Sequence, residues 1–166
     1  MINKTKIIIN GSGGVGKDTF IDYCRIFANV TNISSVDKIK EAAKLLGWNG
    51  GKTEDDRKFL SDMKVLSTGY NNFPYEYLKK NIEKFMEDRS SNVLFMHIRE
   101  PEEIDKIKKE FNCITVLVQN INKDHIDSNM ADANVCNYEY DYIINNDYDL
   151  NRLKEKAIHF ICEVID

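Results

Sequence analysis

A chain of 166 residues is long enough for one domain with its own core, because folding at this length buries roughly two thirds of the surface that the unfolded chain exposes. With 42% hydrophobic residues, 30% charged residues and no apolar run near the roughly 20 residues of a membrane span, the composition is that of a globular chain and excludes a membrane-spanning one. A net charge of -4 without any Lys/Arg run also excludes a nucleic-acid backbone as the main partner, which requires a basic face, whereas a small anion requires only a local site.

Met1 to Asn10 lacks the apolar stretch and small-residue cleavage site of a signal peptide, and leads into a first strand at Lys6 to Asn10. The expected compartment is the cytoplasm. Cys24, Cys113, Cys136 and Cys162 agree with it, being too scattered for a zinc or redox pair and expected as reduced thiols.

That strand runs into Gly11-Ser12-Gly13-Gly14-Val15-Gly16-Lys17-Asp18-Thr19, the pattern G-x-x-x-x-G-K with Asp18 where Ser or Thr usually stands. Glycines let the backbone N–H groups wrap phosphates, the following helix adds its positive N-terminal end, and Lys17 supplies a cation. The expected ligand is a purine nucleoside triphosphate, ATP, with Mg²⁺ at its terminal phosphates. Asp18 contacts that ion directly or through water, or turns away and leaves Thr19 to supply the hydroxyl, or only favours the helix dipole. A dinucleotide reading uses Gly11, Gly13 and Gly16 as G-x-G-x-x-G and Asp37 as a ribose acid; Lys17 and the short chain argue against it.

Helical patterns follow over Lys17 to Ala28, Asp37 to Leu46, Thr53 to Ser67, Pro74 to Asp88, Pro101 to Phe111 and Leu150 to Val164. They alternate with apolar runs at Asn29 to Ser34, Asn92 to Ile98, Cys113 to Val118 and Tyr142 to Asn145, a parallel α/β pattern in a single domain spanning 1–166. Pro101 suits a first helical position. Gly47 to Lys52 and Asn120 to Tyr140 break the alternation and read as functional insertions rather than plain surface connections. Arg99 follows the strand that ends at Ile98, at the edge where α/β proteins bind ligands, and its planar fork suits a phosphate; a salt bridge with Glu102 or Glu103 is the competing reading. Arg57, among Asp55, Asp56 and Lys58, is either a phosphate ligand or a surface ion-pair partner. His97 reads as a core residue without a role.

The loop ending Gly16-Lys17-Asp18-Thr19 resembles that of bacteriophage-type deoxynucleoside monophosphate kinases and of animal-type phosphomevalonate kinases. Val36 to Trp48, followed by Lys52 and Arg57, is similar to the acceptor-side region of the former, and Tyr142 to Asp147 resembles the last strand and turn of P-loop kinases. The resemblance implies a three-layer α/β/α sandwich with a five-stranded parallel sheet in the order 2-3-1-4-5. It further implies ATP-dependent phosphoryl transfer to a small phosphorylated acceptor, a (deoxy)nucleoside monophosphate; the alternatives are a nucleotide-binding regulator with little transferase activity and a phosphomevalonate-type kinase. In its terms Gly11 to Thr19 hold the donor, Lys17, Asp18 and Arg99 are catalytic, Asp18 and Thr19 meet the metal, and Asn145 flanks the adenine. Asp37, Lys40, Arg57 and Arg99 fall to the acceptor, within a region at about 36–75. Asp37 and Lys40 read equally as an N-cap and a solvated helix face. A homodimer is left open. The expected lid, about 120–140, contains no arginine; Lys123 is its clear cation, with His125 a weak substitute among Asp124, Asp127, Asp132 and Glu139.

Overall fold

A computed structural model describes residues 3–120 and 135–165. Its elements are β1 (Thr5–Asn10), α1 (Lys17–Cys24), β2 (Val30–Ser34), α2 (Asp37–Leu45), α3 (Glu54–Asn71), α4 (Phe73–Glu87), β3 (Val93–His97), α5 (Pro101–Phe111), β4 (Ile114–Gln119), β5 (Tyr142–Asn145) and α6 (Leu150–Ile165). The five strands form one sheet in the order β2-β3-β1-β4-β5, every pairing parallel. The expected sheet order and α/β sandwich are both present.

Side-chain alternation along the central strands divides the core into two layers. Ile7, Ile9, Val93, Phe95, Val116 and Val118 point to one face, where they pack with Phe20 and Ile21 of α1 and Phe160 and Ile161 of α6. Ile8, Leu94 and Met96 point to the other, against Leu78, Ile82 and Phe85 of α4 and Ile104 and Ile107 of α5. Because β1 and β3 are covered on both sides, they read as unbroken apolar runs rather than as alternating ones.

Two helix ends differ from the sequence expectation by more than one residue. α1 ends at Cys24 rather than Ala28, since Ile26 N–H and Phe27 N–H donate to the carbonyls of Tyr23 and Cys24 in tight turns that carry the chain back to β2. α3 passes Ser67 and ends at Asn71: the Ser67 and Thr68 hydroxyls donate to the Lys64 carbonyl at 2.9 and 2.8 Å, so they are satisfied inside the helix. It stops where Asn72 turns left-handed at φ 55°, and the same residue caps α4. The start of α3 is fixed by a reciprocal capping box between Thr53 and Asp56. Between α2 and α3, the expected insertion Gly47 to Lys52 is a short turn in which the Trp48 ring N–H donates to the Gly51 carbonyl at 3.2 Å. Most of the expected lid, 121–134 with Lys123 and His125, lies outside the described residues.

Candidate functional site

Parallel strands bring their carboxyl ends to one edge of the sheet, so the residues following β1, β3, β4 and β5 meet there. The phosphate loop leaves β1 and turns into α1 through Gly14 at φ 74° and Gly16 at φ 99°, both in the left-handed region that glycine adopts without strain. Gly11 meets a steric requirement as well: a Cβ there would lie 2.2 Å from the Val118 carbonyl oxygen of β4. Two buried asparagines hold the loop from either side. Asn10 accepts the Gly11 N–H at 2.8 Å, while its amide donates to the Arg99 carbonyl at 3.2 Å and to the Tyr140 hydroxyl at 2.8 Å. Asn146, just past β5, donates to the Val15 carbonyl at 2.9 Å and accepts the Tyr148 N–H at 3.0 Å. Its own N–H donates to the Gln119 carbonyl at the end of β4.

Lys17 Nζ donates to the Gly11 and Ser12 carbonyls at 2.5 and 2.9 Å, which lays the ammonium across the mouth of the loop. Ser12 is half-buried, Gly13 and Gly14 are open to solvent, and Val15 is buried beneath them. Asp18 and Thr19 stand in the first turn of α1, Asp18 largely exposed and Thr19 half-buried.

His97 ends β3 on the same face as Val93 and Phe95, directed at α1, and its Nε2 lies 3.8 Å from Asp18 Oδ1. Burial, reinforced by the Lys17 ammonium, pushes the His97 imidazole down to about 4, so it is neutral near pH 7. The approach to Asp18 is therefore a neutral imidazole beside a carboxylate rather than a salt bridge. The Asp37 carboxylate and the Lys40 ammonium also act on His97, which places both within the electrostatic reach of the loop. Asp37 is not an N-cap; Val36 holds that position, and the Asp37 carboxylate accepts the Ser34 N–H at 2.8 Å to close the turn from β2.

Arg99 follows β3 by two residues, half-buried, with its carbonyl bound to Asn10 as described. Glu103 accepts from Lys64 of α3 at 2.9 Å, and Glu100 accepts from the same ammonium. Arg57 is exposed near the start of α3. Asn145 is exposed at the end of β5, and its side-chain oxygen accepts the Gln119 amide at 2.9 Å.

Lys17 and Asp18 thus open α1 at the loop, Asp37 and Lys40 act on His97 beside Asp18, the Arg99 backbone is tied to Asn10 before the loop, and Arg57 stands on α3. His97, Asn10 and Asn146 are the residues that sequence reasoning passed over. A signal for the asparagines existed: a polar side chain at the buried end of a strand must find partners, and the phosphate loop is the nearest source. The donor set suits a divalent cation, since Asp18 offers an exposed carboxylate, Thr19 a hydroxyl and His97 a neutral nitrogen. Among the described residues no three His, Cys, Asp or Glu side chains cluster as a metal site of their own, so phosphate oxygens would have to complete the coordination. Among the described residues no helix is long and apolar enough to cross a membrane.

No protein-family model and no curated protein matches the chain. Among solved structures, a sugar kinase from Janibacter sp. HTCC2649 superposes with a TM-score of 0.56 at 10% identity, covering 97% of this chain and 95% of that one. Shikimate kinase from Bacteroides thetaiotaomicron superposes with a TM-score of 0.50 at 15% identity, covering 97% and 98%. At such identities the likeness is one of fold, and the chain has the α/β fold of the P-loop kinases.

Proposed function

We propose that the protein transfers the terminal phosphoryl group of ATP to a small phosphorylated acceptor, a (deoxy)nucleoside monophosphate. The observation that carries this reading is the loop from Gly11 to Thr19, seated between β1 and α1 with Lys17 across its mouth. In this role Gly11, Ser12, Gly13, Gly14, Val15 and Gly16 present backbone N–H groups to the phosphates and Lys17 neutralises their charge. Asp18 or Thr19 would meet Mg²⁺, which would supply charge neutralisation on the phosphate oxygens. Asn145 lies at the adenine end, by resemblance. The acceptor lies toward Asp37, Lys40 and Arg99, with Arg57 reaching in from α3. The resemblance of Val36 to Trp48 to the acceptor side of phage-type kinases favours the nucleotide over phosphomevalonate.

A second reading, a nucleotide-binding regulator with little transferase activity, is favoured by the absence of arginine from 120–140, because related kinases close arginines onto the transferring group. One experiment separates the readings. Mg-ATP is incubated with a panel of ribo- and deoxyribonucleoside monophosphates and with phosphomevalonate, and ADP and phosphorylated product are measured. The expected result is product from at least one monophosphate. Tight ATP binding with no product from any acceptor would favour the regulator, and product from phosphomevalonate alone would move the acceptor to the neighbouring branch.

A further inference from the structure

P-loop NTPases hold their metal ion with a Ser or Thr of the loop and an acid from a neighbouring strand. Here both positions carry something else. The loop position is an acid, Asp18, and the last residue of β3, the strand beside β1, is a histidine on the face that looks at α1. The carboxylate here is on the helix, and an imidazole ends the neighbouring strand. The two groups lie 3.8 Å apart, Nε2 to Oδ1, too far for a hydrogen bond. A metal ion bonded to a histidine nitrogen and a carboxylate oxygen at about 2.1 Å each holds them about 3.4 Å apart at the tetrahedral angle, a few tenths of an ångström closer than here.

We propose that Asp18 and His97 together form the protein's side of the divalent-cation site, with the metal bridging the helix carboxylate and the strand imidazole. This rests on the loop binding nucleotide phosphates, as argued above. The half-buried imidazole has its ring on the loop side of the sheet, and the largely exposed Asp18 side chain is free to adjust its reach. Two protein ligands are too few to retain an ion, and the remainder come from phosphate oxygens and water. Metal binding is therefore nucleotide-dependent. A nitrogen ligand also alters the choice of ion, since imidazole suits the later transition metals while an all-oxygen set suits Mg²⁺. The site consequently accepts Mn²⁺ and Co²⁺ more readily, relative to Mg²⁺, than one built from a hydroxyl and a carboxylate.

The test uses the full chain labelled with ¹⁵N-histidine, with ADP and Mn²⁺ as probes. Pulsed electron paramagnetic resonance of the Mn²⁺–ADP–protein complex is expected to show ¹⁵N coupling, and the coupling should vanish in His97→Gln while calorimetry still records ADP binding. In His97→Asp the preference for Mn²⁺ over Mg²⁺ should fall by about tenfold. Because the chain contains three histidines, coupling that persists in His97→Gln would assign the nitrogen elsewhere and overturn the proposal. So would a wild-type complex that binds ADP and Mn²⁺ without any ¹⁵N coupling. If folded wild-type protein binds no ADP at all, the phosphate-loop reading fails first and this proposal fails with it.

Discussion

At the scale of single residues, the chemistry that the chain advertises in its sequence and the chemistry that its folding assembles overlap only in part. Lys17 is legible because G-x-x-x-x-G-K after an apolar run has a known geometric consequence, and its ammonium does lie across the loop. His97 was not legible: alternating with Leu94 and Met96 in an apolar strand it looks like core, and only the position of α1 turns its face into part of the site. Asn145 and Asn146 are adjacent and chemically identical, yet strand parity sends one to the exposed edge with Gln119 and the other onto the Val15 carbonyl. Arg99 poses the residue-scale question for catalysis. On the proposed function two anions approach during transfer, and cations beyond Lys17 and a metal would be required. Arg99 is the arginine that directly follows the end of a central strand. Arg99→Ala is expected to lower kcat/KM for the acceptor by about tenfold, roughly 1.4 kcal/mol of transition-state stabilisation, with ATP affinity little changed. Wild-type acceptor kinetics in that variant, beside an inactive Lys123→Ala protein, would move the missing charge to the 120–140 segment.

Among the described helices, α3 is the one with no fully buried residue. Its amphipathic pattern was readable, but the tie that fixes it was not, because Lys64 lies 36 and 39 residues from its partners Glu100 and Glu103. Lys64 and Glu103 are only 14% and 15% exposed, so this bridge is better shielded than the surface pairs Lys58–Asp62 and Lys109–Asp105. Lys64→Ala is expected to cost about 1–3 kcal/mol, below the range for fully buried pairs because Glu100 remains partly solvated, and to speed amide hydrogen exchange along α3. The cost depends on pH. Burial pushes the Glu103 carboxyl up to about 6 against the pull of Lys64. A carboxyl raised in the folded state favours folding below its unfolded value near 4.5, and that contribution is lost as pH rises through about 6. The variant should therefore lose less stability at pH 5 than at pH 7.5, as read by chemical denaturation. Equal losses at both values would mean that Glu103 does not change its ionisation between them and would contradict the raised carboxyl.

For the molecule as a whole, the parallel sheet order β2-β3-β1-β4-β5 brings the Gly11–Thr19 loop after β1 and the residues after β3 to one edge. This much was legible, because unbroken apolar strands separated by helical stretches leave few ways to cover both faces of a parallel sheet. The acceptor was not legible, for a physical reason. Recognition of a small molecule rests on side chains from stretches far apart in the chain, and no short motif encodes how such stretches combine. Every reading advanced for this protein nevertheless requires that nucleotide phosphates be held by the loop at the N-terminus of α1. The most direct test is calorimetric titration of Mg-ATP into wild-type protein and into folded Lys17→Ala, where removal of the ammonium leaves terminal-phosphate charge without its nearest fixed cation. The expected result is a single saturable site in the wild type and at least about tenfold weaker binding in the variant, a loss of roughly 1.4 kcal/mol. Unchanged affinity in Lys17→Ala, or binding of NADH that ATP fails to displace, would contradict it.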